Sequence, residues 1–317
     1  MTSDSPRPER SLLSVPASSE KFFAKAAAGA ADTVMLDLED AVAPAEKDAA
    51  RLRAVAAVNG FDWGRKTVLV RVNGLDTPWA TRDLVAVAEA CPRLDGVMVP
   101  KVNGPRDVHF VETLLAQVAL THPRARPLHI EAQMESALGL THVEATAACS
   151  PRLEALHFGP GDYGASLGTR VPRIGGPDPD YTVLTDADAQ GRRERHWGDA
   201  THYPLARMTA AAHAYGLRPV DGPYVDFQDP DGFRASARRA KALGCEGKWC
   251  IHPTQIELAN EIFSPSAAEV EWAEALLKTV AQAHAGGAGA VAVGGQMIDY
   301  AHVRQAERIL AKRSAAR

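Results

Sequence analysis

The sequence predicts an α/β fold, a closed (β/α)8 barrel in which eight parallel strands alternate with helices. Three observations support this prediction. Eight short segments have strand composition, stretches of helical composition separate most of them, and most strand segments end in a polar residue. Hydrophobic residues make up 46% of the 317 positions and charged residues 23%, which is an ordinary globular balance. Disordered, collagen-like and coiled-coil chains are therefore excluded.

The predicted strands are short and rich in apolar residues. In chain order they are Leu12–Pro16, Val34–Asp40, Val68–Asn73, Gly96–Val102, Leu128–Glu135, Ala155–Asp162, Leu217–Tyr224 and Gly247–Pro253. The segments between them, such as Lys47–Val58, are rich in Ala, Leu, Glu and Arg, which favours helix. This alternation implies parallel pairing with right-handed crossovers, as in a TIM barrel. An open doubly wound sheet is the alternative, but no G-x-G-x-x-G turn follows the first strand.

The chain is predicted to have three parts. We expect a disordered lead-in at residues 1–9, the barrel as the catalytic domain at 10–255 and a C-terminal helical extension at 256–317. The extension contains the Gly/Ala-rich stretch Ala285–Gly295, a composition typical of a flexible tether, so we expect a mobile lid there. The long segment 163–216 between strands six and seven is expected to be functional or to carry small elements of its own.

Charge and residue usage exclude several classes of protein. Lys and Arg total 35 against 39 Asp and Glu, so the chain lacks the basic excess of a dedicated nucleic-acid binder. No apolar run approaches the roughly 18–20 residues that cross a bilayer, and the polar N-terminus lacks the apolar core of a signal peptide. The four cysteines show neither zinc nor disulfide spacing. We therefore expect a cytoplasmic protein without a nucleic-acid or membrane partner.

Polar residues at the strand ends predict an active site. The carboxyl ends of all strands meet at one face of such a barrel, so these residues converge on one mouth. Glu135 and Asp162 end the neighbouring strands five and six, and two carboxylates in one place repel unless a cation lies between them. Oxygen ligands suit Mg²⁺ better than zinc. The alternative is a pair of solvated carboxylates at the rim.

An arginine at the end of strand three predicts an anion site. Arg71 follows three apolar residues, where a guanidinium is costly unless it meets an anion such as a carboxylate or a developing oxyanion. The alternative is a salt bridge to Glu39 or Asp40. These two acids point to opposite faces if the strand continues, so only one would face the mouth. We expect Arg71, Glu39 and Asp40 to contribute to substrate binding.

Other strand-end residues give less specific signals. The glycine-rich turn Gly159–Asp162 exposes amides, including that of Gly161, that could hold a small carboxylate. Lys101 is either an anion ligand, a Schiff-base amine or a surface lysine. Asp221 and His252 could orient neighbouring side chains at the mouth.

The motifs resemble the citrate lyase β-subunit-like (HpcH/HpaI aldolase/citrate lyase) family. The early segments that carry the resemblance are Arg10-Ser-Leu-Leu-Ser-Val-Pro16, Leu36-Asp-Leu-Glu-Asp-Ala-Val42, Val70-Arg-Val-Asn73 and Val99-Pro-Lys101. The later segments look like its malyl-CoA lyase branch, and they are His196-Trp-Gly-Asp199, Val220-Asp-Gly-Pro223, Gly232-Phe-Arg234, Gly247-Lys-Trp249, Ile251-His-Pro253 and Met297-Ile-Asp299. The resemblance spans residues 10 to 311.

This resemblance implies a (β/α)8 barrel, Mg²⁺ with Mn²⁺ as a possible substitute, a CoA thioester substrate and assembly into homotrimers or hexamers. Glu135 and Asp162 match the two metal-binding carboxylates of the family. Arg71 matches the arginine that faces the reacting oxygens.

Three further residues acquire roles only through the resemblance. Asp299 matches an acid/base aspartate that family members supply from the C-terminal lid of a neighbouring subunit. Arg10 and Lys25 fall near positions that contact the phosphates of CoA.

Together, the chemistry and the resemblance predict a Mg²⁺-dependent carbon–carbon lyase. It would reversibly cleave malyl-CoA, or β-methylmalyl-CoA, into acetyl-CoA, or propionyl-CoA, and glyoxylate. A malyl-CoA thioesterase is the nearest alternative, since no residue of the sequence separates it from the lyase. A citramalyl-CoA lyase, an aldolase acting on free pyruvate enolates and a non-catalytic CoA-ester-binding subunit are further alternatives.

Overall fold

A computed structural model describes residues 7–285, 291–293 and 296–315. Its eight parallel barrel strands are β1 Ser11–Pro16, β2 Thr33–Asp37, β3 Thr67–Arg71, β4 Gly96–Val99, β5 His129–Met134, β6 Leu153–Phe158, β7 Arg218–Asp221 and β8 Gly247–Cys250. Each strand pairs with its neighbours in chain order, and β1 pairs with both β2 and β8. The sheet is therefore closed, and the predicted (β/α)8 fold class is confirmed.

Helices follow most of the barrel strands along the chain, and further helices follow β8 in sequence. They are α1 Phe23–Ala28, α2 Lys47–Gly60, α3 Ala80–Ala90, α4 Pro105–Thr121, α5 Ala137–Thr141, α6 Val143–Ala147, α7 Pro160–Ser166, α8 His202–Ala214, α9 Pro230–Leu243, α10 Ile256–Phe263, α11 Ala267–Ala285 and α12 Tyr300–Ala315. The long segment before α8 carries a small antiparallel pair, Val183–Leu184 with Arg195–His196. Among the described residues, no helix is long and apolar enough to cross a membrane.

Most strands end earlier than their sequence predicts, because polar side chains at the mouth capture backbone groups. Asp37 ends β2, and its Oδ1 accepts the backbone N–H of Glu39 at 2.9 Å, which takes that amide out of the sheet. The prediction that Asp162 ends a strand is wrong. It lies in the first turn of α7, since Pro160 at the start of that helix has the backbone angle and the missing donor that suit a first turn.

The middle of the barrel interior is apolar. One inward-facing residue from each of six strands packs there: Leu12, Met35, Leu69, Met98, Val220 and Trp249. Side chains alternate along a strand, so Asp37 and Arg71, each two residues beyond a member of this layer, also point inward, at the mouth. On β5, Glu131 is in register with Met98 and therefore faces inward as well. The inward face of this strand continues with Gln133 and Glu135.

The amino-terminal end of the interior is filled by a buried ionic cluster. Arg218 donates to Glu9 Oε2 at 2.9 Å and to Glu131 Oε1 at 3.0 Å. His157 Nε2 lies 2.8 Å from Glu131 Oε2. Although burial opposes its charge, hydrogen bonds from the two histidines, His129 and His157, hold the pKa of Glu131 well below its usual value. Burial and the nearby Glu131 raise the pKa of Glu9 to about 7.

The chain separates into two compact units. Residues Glu9–Asn260 form the unit that contains the barrel, and residues from Glu261 onward belong to the other. In the second unit α11 and α12 pack through Ala273, Leu276, Val280 and Ala306. Residues 1–6 of the predicted lead-in and most of the predicted tether Ala285–Gly295 lie outside the described residues.

Glu9→Gln should change the pH dependence of stability. The pKa of Glu9 is about 7 in the native protein and about 4.5 when unperturbed, so the native state binds this proton more tightly. The stability it contributes is complete below about pH 4.5 and is lost as the pH rises to about 7. The lowered pKa of Glu131 acts below this window. Urea unfolding at several pH values should show a steeper decline in the free energy of unfolding for wild type than for Glu9→Gln, since the raised pKa of Glu135 contributes a decline to both.

The matched control for this experiment is Glu154→Gln. Glu154 bonds the same Arg218 at 3.1 Å but its side chain is 33% exposed. This variant should keep the wild-type pH dependence. Equal slopes for wild type and Glu9→Gln would contradict the assignment.

Candidate active site

Arg71 is a fixed, buried cation at the mouth of the barrel. Its Nε and Nη2 each donate to a carboxylate oxygen of Asp37 at 2.7 Å, in a two-point salt bridge. Its Nη1 lies 2.8 Å from Glu39 Oε2 and 3.3 Å from Gln133 Oε1. Burial opposes the charge, but Asp37 and Glu39 raise the pKa of Arg71. The guanidinium therefore stays charged and is held in one orientation.

The salt bridge that the sequence offered as an alternative role for Arg71 does form, and it includes a carboxylate that sequence reasoning missed. Glu39 is buried and pairs with Arg71, whereas the Asp40 side chain is 56% exposed and lies 3.8 Å from Arg71 Nη1. Asp37 is the principal partner. Strand alternation was the available signal, because Asp37 and Glu39 lie two residues apart and so share a face.

Lys101 connects two of the acids at the mouth. Its backbone has a φ of 52°, in the left-handed region that is uncommon for a lysine. In this conformation its backbone N–H donates to Glu135 Oε1 at 2.8 Å and its Nζ donates to Glu39 Oε1 at 2.6 Å. Although burial opposes the charge, Glu39 raises the pKa of Lys101. A Schiff-base amine must be neutral to react, so this pairing argues against that role.

Glu135 is a buried carboxylate whose charge is poorly compensated. It is 1% exposed and follows the last residue of β5. Its Oε2 accepts from Gln133 Nε2 at 2.5 Å, and a Cβ on Gly159 would collide with that oxygen. Burial, followed by the charges of Glu39 and Asp162, raises the pKa of Glu135 well above its usual value. Such a raised pKa marks a place where a further positive charge would stabilise the ionised form.

These carboxylates could hold a divalent cation. Asp162, half-buried in the first turn of α7, is close enough for its charge to act on Glu135. The amides of Gly161 and Asp162 lie in the same turn, where backbone N–H groups have no intrahelical partner. These carboxylate oxygens lack compensating positive charge, and neither cysteine nor histidine is among the proposed ligands. Such a set of ligands fits Mg²⁺.

The buried ionic cluster at the amino-terminal end of the barrel also brings potential ligand atoms together. Atoms of Glu9, Glu131 and His157 lie within 4.8 Å of one another there. Its chemistry fits hydrogen bonds better than a metal. Trp249 Nε1 donates to His157 Nδ1 at 2.9 Å, so His157 carries its proton on Nε2 and donates it to Glu131. A nitrogen that carries a proton cannot bind a metal, and Arg218 already supplies positive charge there.

Two residues assigned to CoA phosphates lie in different places. Arg10 precedes β1, at the end of the barrel opposite the mouth, and its Nε and Nη2 donate to the two oxygens of Asp32 at 2.7 Å. The structure therefore does not bring Arg10 to the mouth. Lys25 is exposed on α1, the helix that follows β1 from the mouth.

Asp221 and His252 are predicted from the sequence to orient side chains at the mouth, but in the structure they contact other groups. Asp221 pairs with the fully buried Lys248, and both alternate with inward-facing neighbours, so they point away from the barrel interior. His252 stacks on Phe227 at 4.7 Å between ring centroids and caps a short 3₁₀ turn.

Asp299 belongs to the second unit and caps α12. Its Oδ1 accepts the backbone N–H of Ala301 at 2.9 Å and lies 2.7 Å from His302 Nδ1. These hydrogen bonds, chiefly that from His302, lower the pKa of Asp299. The carboxylate is therefore ionised near neutral pH and suited to accept a proton.

Comparison with known proteins places this geometry in a family. A family model described as HpcH/HpaI aldolase/citrate lyase matches residues 10–253. The L-malyl-CoA/beta-methylmalyl-CoA lyase of Cereibacter sphaeroides is 46% identical over 305 residues, which cover 96% of this chain and 94% of that protein. A (3S)-malyl-CoA thioesterase of the same species is 36% identical over 308 residues, covering 97% of this chain and 95% of that protein.

A solved structure adds a likeness in three dimensions. CitE from Mycobacterium tuberculosis, in complex with magnesium, acetoacetate and coenzyme A, matches with a TM-score of 0.71 and 30% identity. The match covers 96% of this chain and 97% of that one. The resemblance that the sequence motifs indicated is thus confirmed, and this chain belongs to the HpcH/HpaI aldolase/citrate lyase family.

Proposed function

We propose that this chain is a Mg²⁺-dependent carbon–carbon lyase that reversibly cleaves malyl-CoA, or β-methylmalyl-CoA, into acetyl-CoA, or propionyl-CoA, and glyoxylate. One observation carries the proposal. The mouth combines a fixed cation, Arg71, with a buried carboxylate, Glu135, that lacks compensating charge. It does so in a chain that is 46% identical to an L-malyl-CoA/beta-methylmalyl-CoA lyase.

Glu135 and Asp162 are the proposed ligands of the metal, and the CitE structure with magnesium and coenzyme A supports this choice of ion. When bound, Mg²⁺, or Mn²⁺ with its similar oxygen preference, supplies Lewis-acid polarisation of the carboxylate and hydroxyl oxygens of the substrate. Gln133 and Lys101 donate to Glu135 and so orient its carboxylate. Free amides in the first turn of α7, including that of Gly161, would bind the carboxylate end of glyoxylate.

Arg71 stabilises the charge that develops during cleavage. The hydroxyl of the malyl group gives its proton to the ionised carboxylate of Asp299, and the electron pair of the broken carbon–carbon bond moves to the acetyl carbon. Negative charge then spreads onto the thioester oxygen of the resulting enolate. Arg71 donates to this charge without reorganising, because Asp37 and Glu39 already fix its orientation.

Asp299 transfers the proton at the acetyl carbon. In the condensation direction its ionised carboxylate removes a proton from the methyl group of acetyl-CoA and passes it to the new hydroxyl, and in cleavage it carries the hydroxyl proton back to the enolate carbon. The lowered pKa that the His302 hydrogen bond gives Asp299 suits the first of these roles. We propose that Asp299 acts on the barrel of a neighbouring subunit within a homotrimer or hexamer.

A thiol mechanism is disfavoured by the cysteines. Three of the four are buried, and burial raises the pKa of Cys245 to about 12 and that of Cys91 to about 11. These thiols are therefore protonated and unreactive near neutral pH. Free buried thiols also fit the cytoplasmic location that we propose for the protein.

A malyl-CoA thioesterase is the second candidate, supported by the relative of that name at 36% identity. Purified protein mixed with acetyl-CoA, glyoxylate and Mg²⁺ should produce malyl-CoA, which mass spectrometry detects. Addition of EDTA should abolish this product. Free malate and CoA released from added malyl-CoA, without glyoxylate, would instead support the thioesterase. If neither product forms, the lyase proposal for this substrate pair is wrong, and propionyl-CoA and pyruvate are the next partners to try.

Glu135→Gln should weaken Mg²⁺ binding by at least about tenfold, because it removes a charged ligand while keeping the size of the side chain. Isothermal titration calorimetry with Mg²⁺ measures this loss. Glu144→Gln is the control, since Glu144 pairs with Arg207 on the surface at 2.9 Å. Unchanged affinity in Glu135→Gln would rule out the ligand assignment.

Asp299→Asn should lower kcat by roughly 10²–10⁴-fold while Mg²⁺ affinity is retained. Asp188→Asn is a matched control, because Asp188 is also an exposed aspartate that accepts backbone N–H groups, from Gln190 and Arg192. Mixed oligomers of Asp299→Asn and Arg71→Lys subunits test the action across subunits. They should regain activity if the two residues of one site come from different chains, and no recovery would contradict that arrangement.

A further inference from the structure

The hydrogen bonds of Arg71 lie at the edge of its guanidinium, where the donors are. Asp37 and Gln133 accept hydrogen bonds at that edge, and Glu39 adds an ion pair to Nη1 at 2.8 Å. Such bonds resist rotation within the plane better than they resist tilting of the plane. A group that covers a face of the guanidinium would restrain the tilt.

Trp249 provides that cover. Arg71 Cζ lies over the indole ring, 5.4 Å from its centroid, within the range of a cation–π contact. Trp249 is on β8, across the barrel interior from β3, and is 4% exposed. Its ring packs in the apolar layer with Leu12, Leu69 and Val220, so it forms the floor of the mouth directly beneath the arginine.

The indole is itself held by a chain of hydrogen bonds that begins at the base of the barrel. Trp249 Nε1 donates to His157 Nδ1 at 2.9 Å, and His157 Nε2 donates to Glu131 Oε2 at 2.8 Å. Glu131 is fixed in turn by Arg218 at 3.0 Å and by His129 at 3.0 Å. Rotation of the indole about its side-chain bonds would break the first of these hydrogen bonds between two buried side chains, which is costly.

We propose that Trp249, held by His157, is a positioning residue that sets the tilt of the Arg71 guanidinium for the reaction. The inference rests on the proposed function, since Arg71 acts on the charge that develops in that reaction. It adds a role for the buried cluster Glu131–His157, which contacts neither metal ligand. A misplacement of about 1 Å at a catalytic group can cost 10²-fold in rate, so the effect is measurable.

Trp249→Phe tests the proposal, because phenylalanine keeps an aromatic face but cannot donate to His157. We expect kcat to fall by roughly ten- to a hundredfold, with the KM for acetyl-CoA and the Mg²⁺ affinity within about twofold of wild type. Trp63→Phe is the matched control. Trp63 is 1% exposed and its Nε1 donates to the carbonyl oxygens of Ala57 and Val58, remote from the mouth.

The two variants separate a positioning role from a structural one. Both lose a buried hydrogen bond, so we expect similar losses of thermal stability, whereas only Trp249→Phe should lose kcat. Equal kcat for the two variants would overturn the proposal. If wild type and Trp63→Phe both fail to form malyl-CoA, the proposed function fails instead.

A second pair of variants keeps the test decisive if Trp249→Phe does not fold. His157→Gln offers an acceptor for Trp249 and a donor for Glu131, whereas His157→Leu offers neither. We expect His157→Gln to retain several times the kcat of His157→Leu at an unchanged KM. Equal kcat values in two folded variants would show that His157 does not act through Trp249.

Discussion

The structure depends on keeping charged groups paired inside a closed barrel. A charge moved from water into a protein interior costs several kcal/mol unless a partner meets it there. Arg218 at the base and Arg71 at the mouth each have at least two carboxylate partners. Because Glu9 precedes β1 and Asp37 ends β2, these pairs form only when distant parts of the chain are in register. An apolar layer separates the two ionic layers, and Trp249 contacts both.

The two ionic layers differ in their balance of charge. At the amino-terminal end, Arg218 compensates the charge of Glu131, and two histidines donate hydrogen bonds to it. Glu9 has the raised pKa, so of these two carboxylates it is Glu9 that takes up a proton. At the mouth, the described carboxylates outnumber the described cations. The carboxylates are Asp37, Glu39, Asp40, Glu135 and Asp162, and the cations are Lys47, Arg71 and Lys101. A bound divalent cation would offset this excess and reduce the repulsion of an anionic substrate.

The sequence predicts the barrel well because its signals are local. Each strand is a short apolar run, each helix a run of good helix formers, and their alternation leaves few topologies. Strand ends are predicted less well, since they depend on side chains such as Asp37 that bond the backbone only once the strands have assembled. The inward-facing histidine, His157, is not readable from the sequence for a similar reason. Its role comes from contacts with Glu131 and Trp249, which lie 26 and 92 positions away.

Some site residues are likewise predicted from local sequence signals, whereas others depend on the assembled fold. Arg71 and Glu135 are recognisable because Arg71 ends a buried strand and Glu135 directly follows one. Arg10 is assigned by resemblance to CoA binding, yet it lies at the opposite end of the barrel with Asp32, which only the fold reveals. Asp299 belongs to the second compact unit, and its acid/base role is assigned by resemblance alone.

The location of Asp162 has a consequence for how the site can be altered. Glu135 is anchored to a barrel strand, whereas Asp162 is carried by α7, a short helix that leads into the long segment before α8. Insertions or substitutions in that segment can therefore shift one of these two carboxylates relative to the other without disturbing the barrel. The spacing of the pair therefore depends on a surface segment that can vary without altering the barrel.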